Sequence, residues 1–382
     1  MPAASILIKP SSSNCNIDCK YCFYKCLSSN REKYSLGFMS GTTLDSLIKN
    51  AIDYADDYLT FAFQGGEPTL IGIDFYKKAI KLQQKYVKES KKRLVIENTL
   101  QTNGVLIDGE WAKFFHDNNF LVGLSLDGPK KLHDMARTDV KGDGTFERIM
   151  GTVSLFKQYG VKFNILSVIT EETTKKASAL YNFYKRNNFE YIQLIPCMDE
   201  INRNDNSKTN PYAVTPESYG RFLSEIFDLW YDDFKNGNII DIRMFSNLAQ
   251  MSIGYPAEEC GMNGCCNCYF VVEGDGSVYP CDFYCMDEYR LGNIGTSFKE
   301  LYESDKAKTF MSATDNVEKE CRECEYYKLC LGGCRRWREN NGTGKLGLNY
   351  LCPGYKIFFE HTQDRILKLG KTIIDSKYRN LL

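Results

Sequence analysis

The sequence predicts an α/β fold: a partial parallel barrel of six strand–helix units, then a small cysteine-rich region with a β-hairpin and a closing helix. Two observations predict the barrel. Apolar runs of about five to eight residues suit strands buried on both faces, and the amphipathic stretches between them suit crossover helices. A third observation, the loss of that rhythm beyond Gly237 where Gly and Cys punctuate short elements, predicts the second region. The boundary is expected near residue 235, giving domains 1–235 and 236–382. Six units are too few for a closed eight-stranded barrel, so one side is expected open.

The strands are expected at Ser5–Lys9, Leu59–Gln64, Leu94–Gln101, Leu121–Leu126, Val161–Ile169 and Tyr191–Ile195. Helices are expected at Thr42–Ala55, Asp74–Glu89, Gly109–Asn118, Thr145–Tyr159 and Lys175–Asn187. Repeated strand–helix units of this kind build parallel sheets. Asp199–Tyr212 is polar and Asn-rich, which predicts an exposed loop. Pro216 opens a helix through Phe222, Ile226, Leu229 and Trp230. Tyr269–Glu273 and Ser277–Tyr279 alternate around Gly274-Asp275-Gly276, a hairpin signal. The rest, beyond the hairpin and up to about Tyr355, has little core of its own and is expected to need metal to fold. A final helix follows at about Tyr355–Ile374.

The chain has 382 residues, 43% hydrophobic, with 48 Lys and Arg against 49 Asp and Glu. That near balance gives no global field toward nucleic acid or membrane. The N-terminus lacks a basic segment followed by a long apolar one, and no run of apolar residues is long enough to span a bilayer. A cytoplasmic protein is expected. Sixteen cysteines without an export signal point to metal rather than disulfides. Four lie within residues 15–26 and eleven between Cys260 and Cys352. With only three histidines, a histidine-based site is not expected.

Cys15-x3-Cys19-x2-Cys22 follows the first strand. Three thiolates can hold three corners of a cubane cluster and leave the fourth iron open, the mark of a catalytic centre. A structural zinc site using Cys15, Cys19, Cys22 and Cys26 is the plain alternative. In its context, with Tyr21 before the third cysteine, the triplet resembles the radical S-adenosylmethionine (SAM) superfamily. Gln64-Gly65-Gly66-Glu67-Pro68, at a strand's C-terminal edge where barrel sites lie, supports the resemblance. The implied fold is a TIM-like partial (β/α)6 radical SAM barrel. The resemblance implies that the open iron chelates SAM and that one electron yields a 5′-deoxyadenosyl radical. Tyr21, Gly66 and Glu67 are then cofactor-binding candidates: the glycines let backbone approach the SAM amino group, and Glu67 helps fix it. Ser125 would meet the ribose or carboxylate, Arg137 would pair with the carboxylate, and Met198 would pack on the adenine. Arg137 as a surface residue and Met198 as core filler are the bland alternatives.

Cys321-x2-Cys324-x5-Cys330-x3-Cys334, with Cys352 beyond, resembles the SPASM extension of radical SAM peptide-modifying enzymes. Two auxiliary [4Fe–4S] clusters are implied, three clusters in all. Cys260, Cys266, Cys281 and Cys334 would hold the first, and Cys321, Cys324, Cys330 and Cys352 the second. Spacing alone leaves Cys265 and Cys266 as alternatives, Cys266 being preferred. Two zinc sites on these residues are the other option. Cys26, Cys197, Cys265, Cys268 and Cys285 remain unassigned.

The surroundings narrow the reading further. Cys260-Gly261-Met262-Asn263-Gly264, Tyr279-Pro280-Cys281-Asp282-Phe283-Tyr284 and Leu331-Gly332-Gly333-Cys334-Arg335-Arg336 resemble the anaerobic sulfatase-maturating enzymes. That resemblance implies a sulfatase substrate with a Cys/Ser-x-Pro-x-Arg motif, oxidised at Cβ to Cα-formylglycine without oxygen. Asp282 would be the general base, and a nearby auxiliary cluster would accept the second electron. A structural aspartate is the bland reading. Tyr24 and Gln64 would line the peptide; a packed aromatic and a SAM contact are their alternatives. An electron donor such as flavodoxin or ferredoxin is also implied. The runner-up is a SPASM maturase forming a thioether or carbon–carbon crosslink, which usually carries a recognition module ahead of the barrel; Cys15 lies too near the start for one. A ferredoxin-like carrier or zinc scaffold would need neither the open site nor the Gly-Gly-Glu-Pro turn.

Overall fold

The structure, a computed structural model, describes residues 4–199, 210–339 and 346–375. Among the described residues the strands, in chain order, are β1 (Ala4–Ile8), β2 (Ile17–Cys19), β3 (Tyr58–Phe63), β4 (Val95–Thr102), β5 (Leu121–Ser125), β6 (Arg137–Asp139), β7 (Lys162–Ile169), β8 (Tyr191–Pro196), β9 (Asp241–Ile242), β10 (Val271–Val272), β11 (Ser277–Tyr279) and β12 (Gly292–Asn293). The chain forms two compact units. The first comprises Met1–Leu126, His133–Phe163 and Asn267–Phe310; the second comprises Asp127–Leu132, Asn164–Cys266 and Met311–Leu382.

In the first unit β1, β3, β4 and β5 run parallel, with Ile6 beside Phe61 and Phe61 beside Asn98. Leu59, Phe61 and Phe63 alternate inward along β3 and are buried. Helix Gly41–Tyr54 starts where Ser40 accepts the Thr43 N–H and buries Leu44, Leu47, Ile48, Ala51 and Ile52, one stripe of an amphipathic helix. Helices Ile73–Ser90, Gly109–Asp117 and Phe146–Tyr159 stand where the periodicity predicts them.

The hairpin forms where the alternation predicts it, β10 against β11, and Val271, Val272 and Val278 are fully buried. β10 pairs parallel with β1, Leu7 against Val271, and β11 and β12 continue antiparallel. Pairing on the open edge of β1 satisfies the backbone there. This is why Asn267–Phe310 belongs to the first compact unit.

In the second unit β7, β8 and β9 are parallel. Helix Pro216–Lys235 crosses the closing helix Cys352–Asp375, which begins earlier than expected, at its cysteine. A Cβ on Gly220 would lie 2.3 Å from the Gly354 carbonyl oxygen, so glycine permits that crossing. Phe227, Phe245 and Phe358 pack around it, with ring centroids 5.0–5.9 Å apart. β12 is an edge strand in the first unit and β9 in the second. Helices Arg243–Ser252, Phe298–Glu303 and Asp305–Ser312 are additional to the predicted set. Most of the Asn-rich loop expected at Asp199–Tyr212 lies outside the described residues. Among the described residues no helix is long and apolar enough to cross a membrane.

Candidate active site

The first cysteines sit on a loop leaving β1. β2 pairs antiparallel with β6, which sets Cys19 opposite Arg137. The Arg137 guanidinium donates toward Cys19 Sγ at 3.7 Å and lies 5.4 Å over the Tyr21 ring. Arg137 is buried, so the surface reading does not hold. Asn103 Nδ2 donates to Cys15 Sγ at 3.8 Å and to Asn16 Oδ1 at 2.8 Å. Burial raises the Cys15 thiol to about 11, helped by the charges of Glu67 and Cys22. Burial also raises Cys22, while the Tyr24 and Lys25 N–H groups and Arg137 oppose it. Three crowded thiols with amide and guanidinium donors around them fit an anionic cluster ligated three times.

The Gly-Gly-Glu-Pro turn fastens to that loop. The Glu67 N–H donates to the Asn14 carbonyl at 2.8 Å. A Cβ on Gly66, whose φ is +51°, would meet the Asn14 carbonyl oxygen at 2.3 Å. The buried Glu67 carboxylate is occupied by the Thr69 N–H and hydroxyl, the Thr102 hydroxyl and the Asn103 N–H, at 2.6–3.1 Å. Burial raises its pKa and those four donors resist. Its carboxylate therefore holds the turn to the end of β4.

Asp282 lies at the centre of a second cluster in the same unit. Tyr24 donates to Oδ2 at 2.6 Å, and Gln64 Nε2 donates to Oδ2 at 3.1 Å and to the Tyr24 oxygen at 2.8 Å. Oδ1 is buried with no hydrogen-bond partner among the described residues, and Lys9 Nζ lies 3.7 Å from it. Lys9 pairs with Glu273 at 2.9 Å, and Arg31 pairs with the same Glu273 oxygen at 2.7 Å. The Asp282 N–H donates to the Tyr269 hydroxyl, itself 3.3 Å from Cys281 Sγ. Burial raises the Asp282 carboxyl, and Lys9 and Tyr24 pull it back. Thus Tyr24, Gln64 and Asp282, singled out from sequence, meet. Lys9, Glu273, Arg31 and Tyr269 were not foreseen; a lysine ending an apolar strand was the available signal for Lys9.

Of the remaining cofactor candidates, Ser125 ends β5 and is buried. Met198 lies just beyond β8 in the second unit and is half-buried. In that unit Cys334 is pushed up to about 12 by burial and then by Cys260 and Cys266. Cys330 reaches about 12 by burial, with Cys352, Cys321 and Cys324 adding to it. The thiols thus fall into two mutually repelling groups, a donor set that suits clusters. Cys334 is raised by Cys260 and Cys266, whereas Cys260 is raised by Cys265, so both adjacent thiols face this group. Among the described residues no three His, Cys, Asp or Glu side chains form a site for a single metal ion. A cubane takes its thiolates at separate corners, so they need not converge on one point.

Residues 10–184 match the radical SAM superfamily and residues 264–325 an iron–sulfur cluster-binding domain, SPASM. The chain is a radical SAM enzyme whose cofactors are SAM and iron–sulfur clusters. It is 46% identical, over 98% of its length and 100% of the relative's, to the cysteine-type anaerobic sulfatase-maturating enzyme of Clostridium perfringens strain 13. The serine-type enzyme of Bacteroides thetaiotaomicron is 32% identical, with 93% of this chain and 88% of that one covered. A solved structure, native anSMEcpe with bound AdoMet and Cp18Cys peptide, superposes with a TM-score of 0.92 at 44% identity, covering 97% of this chain and 100% of that one. The chain belongs to the anaerobic sulfatase-maturating enzymes.

Proposed function

We propose that this enzyme converts a cysteine of a sulfatase polypeptide, within a Cys-x-Pro-x-Arg motif, to Cα-formylglycine, with Asp282 as the base. The observation that carries the reading is the Asp282 carboxylate: Tyr24 and Gln64 hold Oδ2, while Oδ1 is buried and free of hydrogen bonds among the described residues. A carboxylate so divided has one oriented oxygen and one whose lone pairs are not taken up by a hydrogen bond. The bound SAM and clusters supply hydrogen-atom abstraction at the substrate Cβ and one-electron transfer.

Asp282 Oδ1 takes the thiol proton, and loss of the hydrogen atom, that proton and one further electron leaves a thioaldehyde. Water replaces sulfur, releasing hydrogen sulfide and giving the aldehyde. Lys9 faces Oδ1 at 3.7 Å and stabilises the ionised form before transfer. Cysteine as the preferred residue is supported by the higher identity to cysteine-type relatives.

In this reading Cys15, Cys19 and Cys22 hold the SAM cluster. Cys260, Cys266, Cys281 and Cys334 hold one auxiliary cluster, and Cys321, Cys324, Cys330 and Cys352 the other. Tyr21, Gly66, Ser125, Arg137 and Met198 serve SAM, and Glu67 acts through the turn it fixes. Tyr24 and Gln64 meet the peptide beside the base. A flavodoxin or ferredoxin donates electrons in the cytoplasm, and the functional division remains 1–235 and 236–382. The test is anaerobic reconstitution with dithionite, SAM and a Cys-x-Pro-x-Arg peptide. A product in which one oxygen has replaced the sulfur and two hydrogens, found by mass, is expected. Unchanged peptide despite 5′-deoxyadenosine release sinks the reading.

A further inference from the structure

Lys9 prolongs β1 into the protein interior and is 1% exposed. A buried ammonium is strongly unfavourable unless paired closely. Glu273 lies at 2.9 Å, Asp282 at 3.7 Å and the Tyr24 ring centroid at 4.7 Å. Two cations, Lys9 and Arg31, thereby face two anions, Glu273 and Asp282. Its stem also needs room. A Cβ on Gly65 would lie 2.4 Å from Lys9 Cε and 2.7 Å from Cγ, whereas one on Gly66 would strike the backbone of Ser12 and Asn14. The two glycines of the turn therefore answer different demands.

We propose that Lys9 is a positioning residue for Asp282 and that Gly65 is the slot for its side chain rather than an opening for SAM. The proposal rests on the reading of Asp282 as the base. Tyr24 and Gln64 fix Oδ2 only, which leaves the carboxylate free to turn about that anchor. The ammonium on the Oδ1 side fixes the plane. Glu273, locked by Arg31, fixes the ammonium in turn. Gly65 thus connects the turn beside the cysteine loop to the base, through one lysine stem.

Two measurements decide it. Lys9→Met keeps the stem and removes the charge. It is expected to form 5′-deoxyadenosine yet yield at least about tenfold less formylglycine per SAM cleaved, through kcat with peptide KM unchanged. Wild-type coupling in that variant overturns the positioning role. For the slot, Gly65→Ala is compared in the wild-type and Lys9→Ala backgrounds by thermal unfolding and by equilibrium SAM binding. The strain of alanine at φ +89° is common to both backgrounds and cancels. The expected result is a Tm loss in the wild-type background that shrinks at least about twofold once Lys9 is truncated, with SAM affinity unchanged. Equal Tm losses in the two backgrounds, or equally weakened SAM binding, overturn it. If wild-type enzyme makes no formylglycine, the function reading fails, while the Tm comparison still judges the slot.

Discussion

Asp282 and its neighbours divide labour atom by atom. Tyr24 and Gln64 spend their donors on Oδ2, so an amide at position 282 would still accept them while lacking a proton-accepting oxygen. Asp282→Asn is expected to retain deoxyadenosine release and to lose formylglycine by about 10²-fold or more, the usual scale of a general base. Chromatography of the nucleoside beside mass detection of the peptide separates the two; normal turnover removes Asp282 from the chemistry. At this scale the sequence was informative wherever chemistry depends on spacing. The cysteines and Asp282 stand in short, ordered motifs. Lys9 and Glu273 are 264 residues apart in the chain and become partners only through the pairing of β1 with β10. No local pattern announces such a pair. Glu67 was legible as a member of a turn, but not as a carboxylate occupied by Thr69, Thr102 and Asn103.

Elements were legible where the period is long enough to read. The six predicted strands and the helices between them rest on runs of apolar residues that local sequence displays. β2 and β6, three residues each, are too short for a period. The alternation at Val271 and Val278 reveals a hairpin but not that its neighbour is β1, because the choice of partner is non-local. The crossing of helices Pro216–Lys235 and Cys352–Asp375 was equally silent, though it turns on one atom. Gly220→Ala gains up to about 1 kcal/mol of helix propensity. Against this, its Cβ would sit 2.3 Å from the Gly354 carbonyl oxygen, and overpacking of that sort costs about 1–3 kcal/mol. Backbone cannot swing aside as a flexible side chain does, so the clash wins. A lower Tm for the reconstituted variant, with SAM cleavage intact below the transition, is expected. An unchanged or higher Tm would show that the helices part at little cost.

The whole molecule holds sixteen cysteines, and the proposed reading gives eleven of them to three clusters. Within the second unit, Lys319–Arg322, Tyr327–Cys330 and Arg335–Arg338 are helices of four residues each. Such pieces are too short to persist on helix propensity, and Leu329 is the one buried apolar side chain they contribute. On that proposal, cluster binding is the main source of their folding free energy. The open cluster differs: its cysteine loop is tied by β2 to β6 and by Glu67 to Asn14, independently of metal. Removing Cys15, Cys19 and Cys22 together should therefore spare the fold and take one cluster. Reconstituted wild-type enzyme is expected to carry about twelve irons per chain, and the Cys15→Ala/Cys19→Ala/Cys22→Ala variant about eight. The variant should keep the protease resistance of residues 311–339, whereas chelation of all iron should expose that segment to cleavage. Iron and sulfide analysis beside limited proteolysis reads both effects. A variant that binds no iron, or a stripped protein as resistant as the loaded one, would mean that the clusters do not hold this part of the chain.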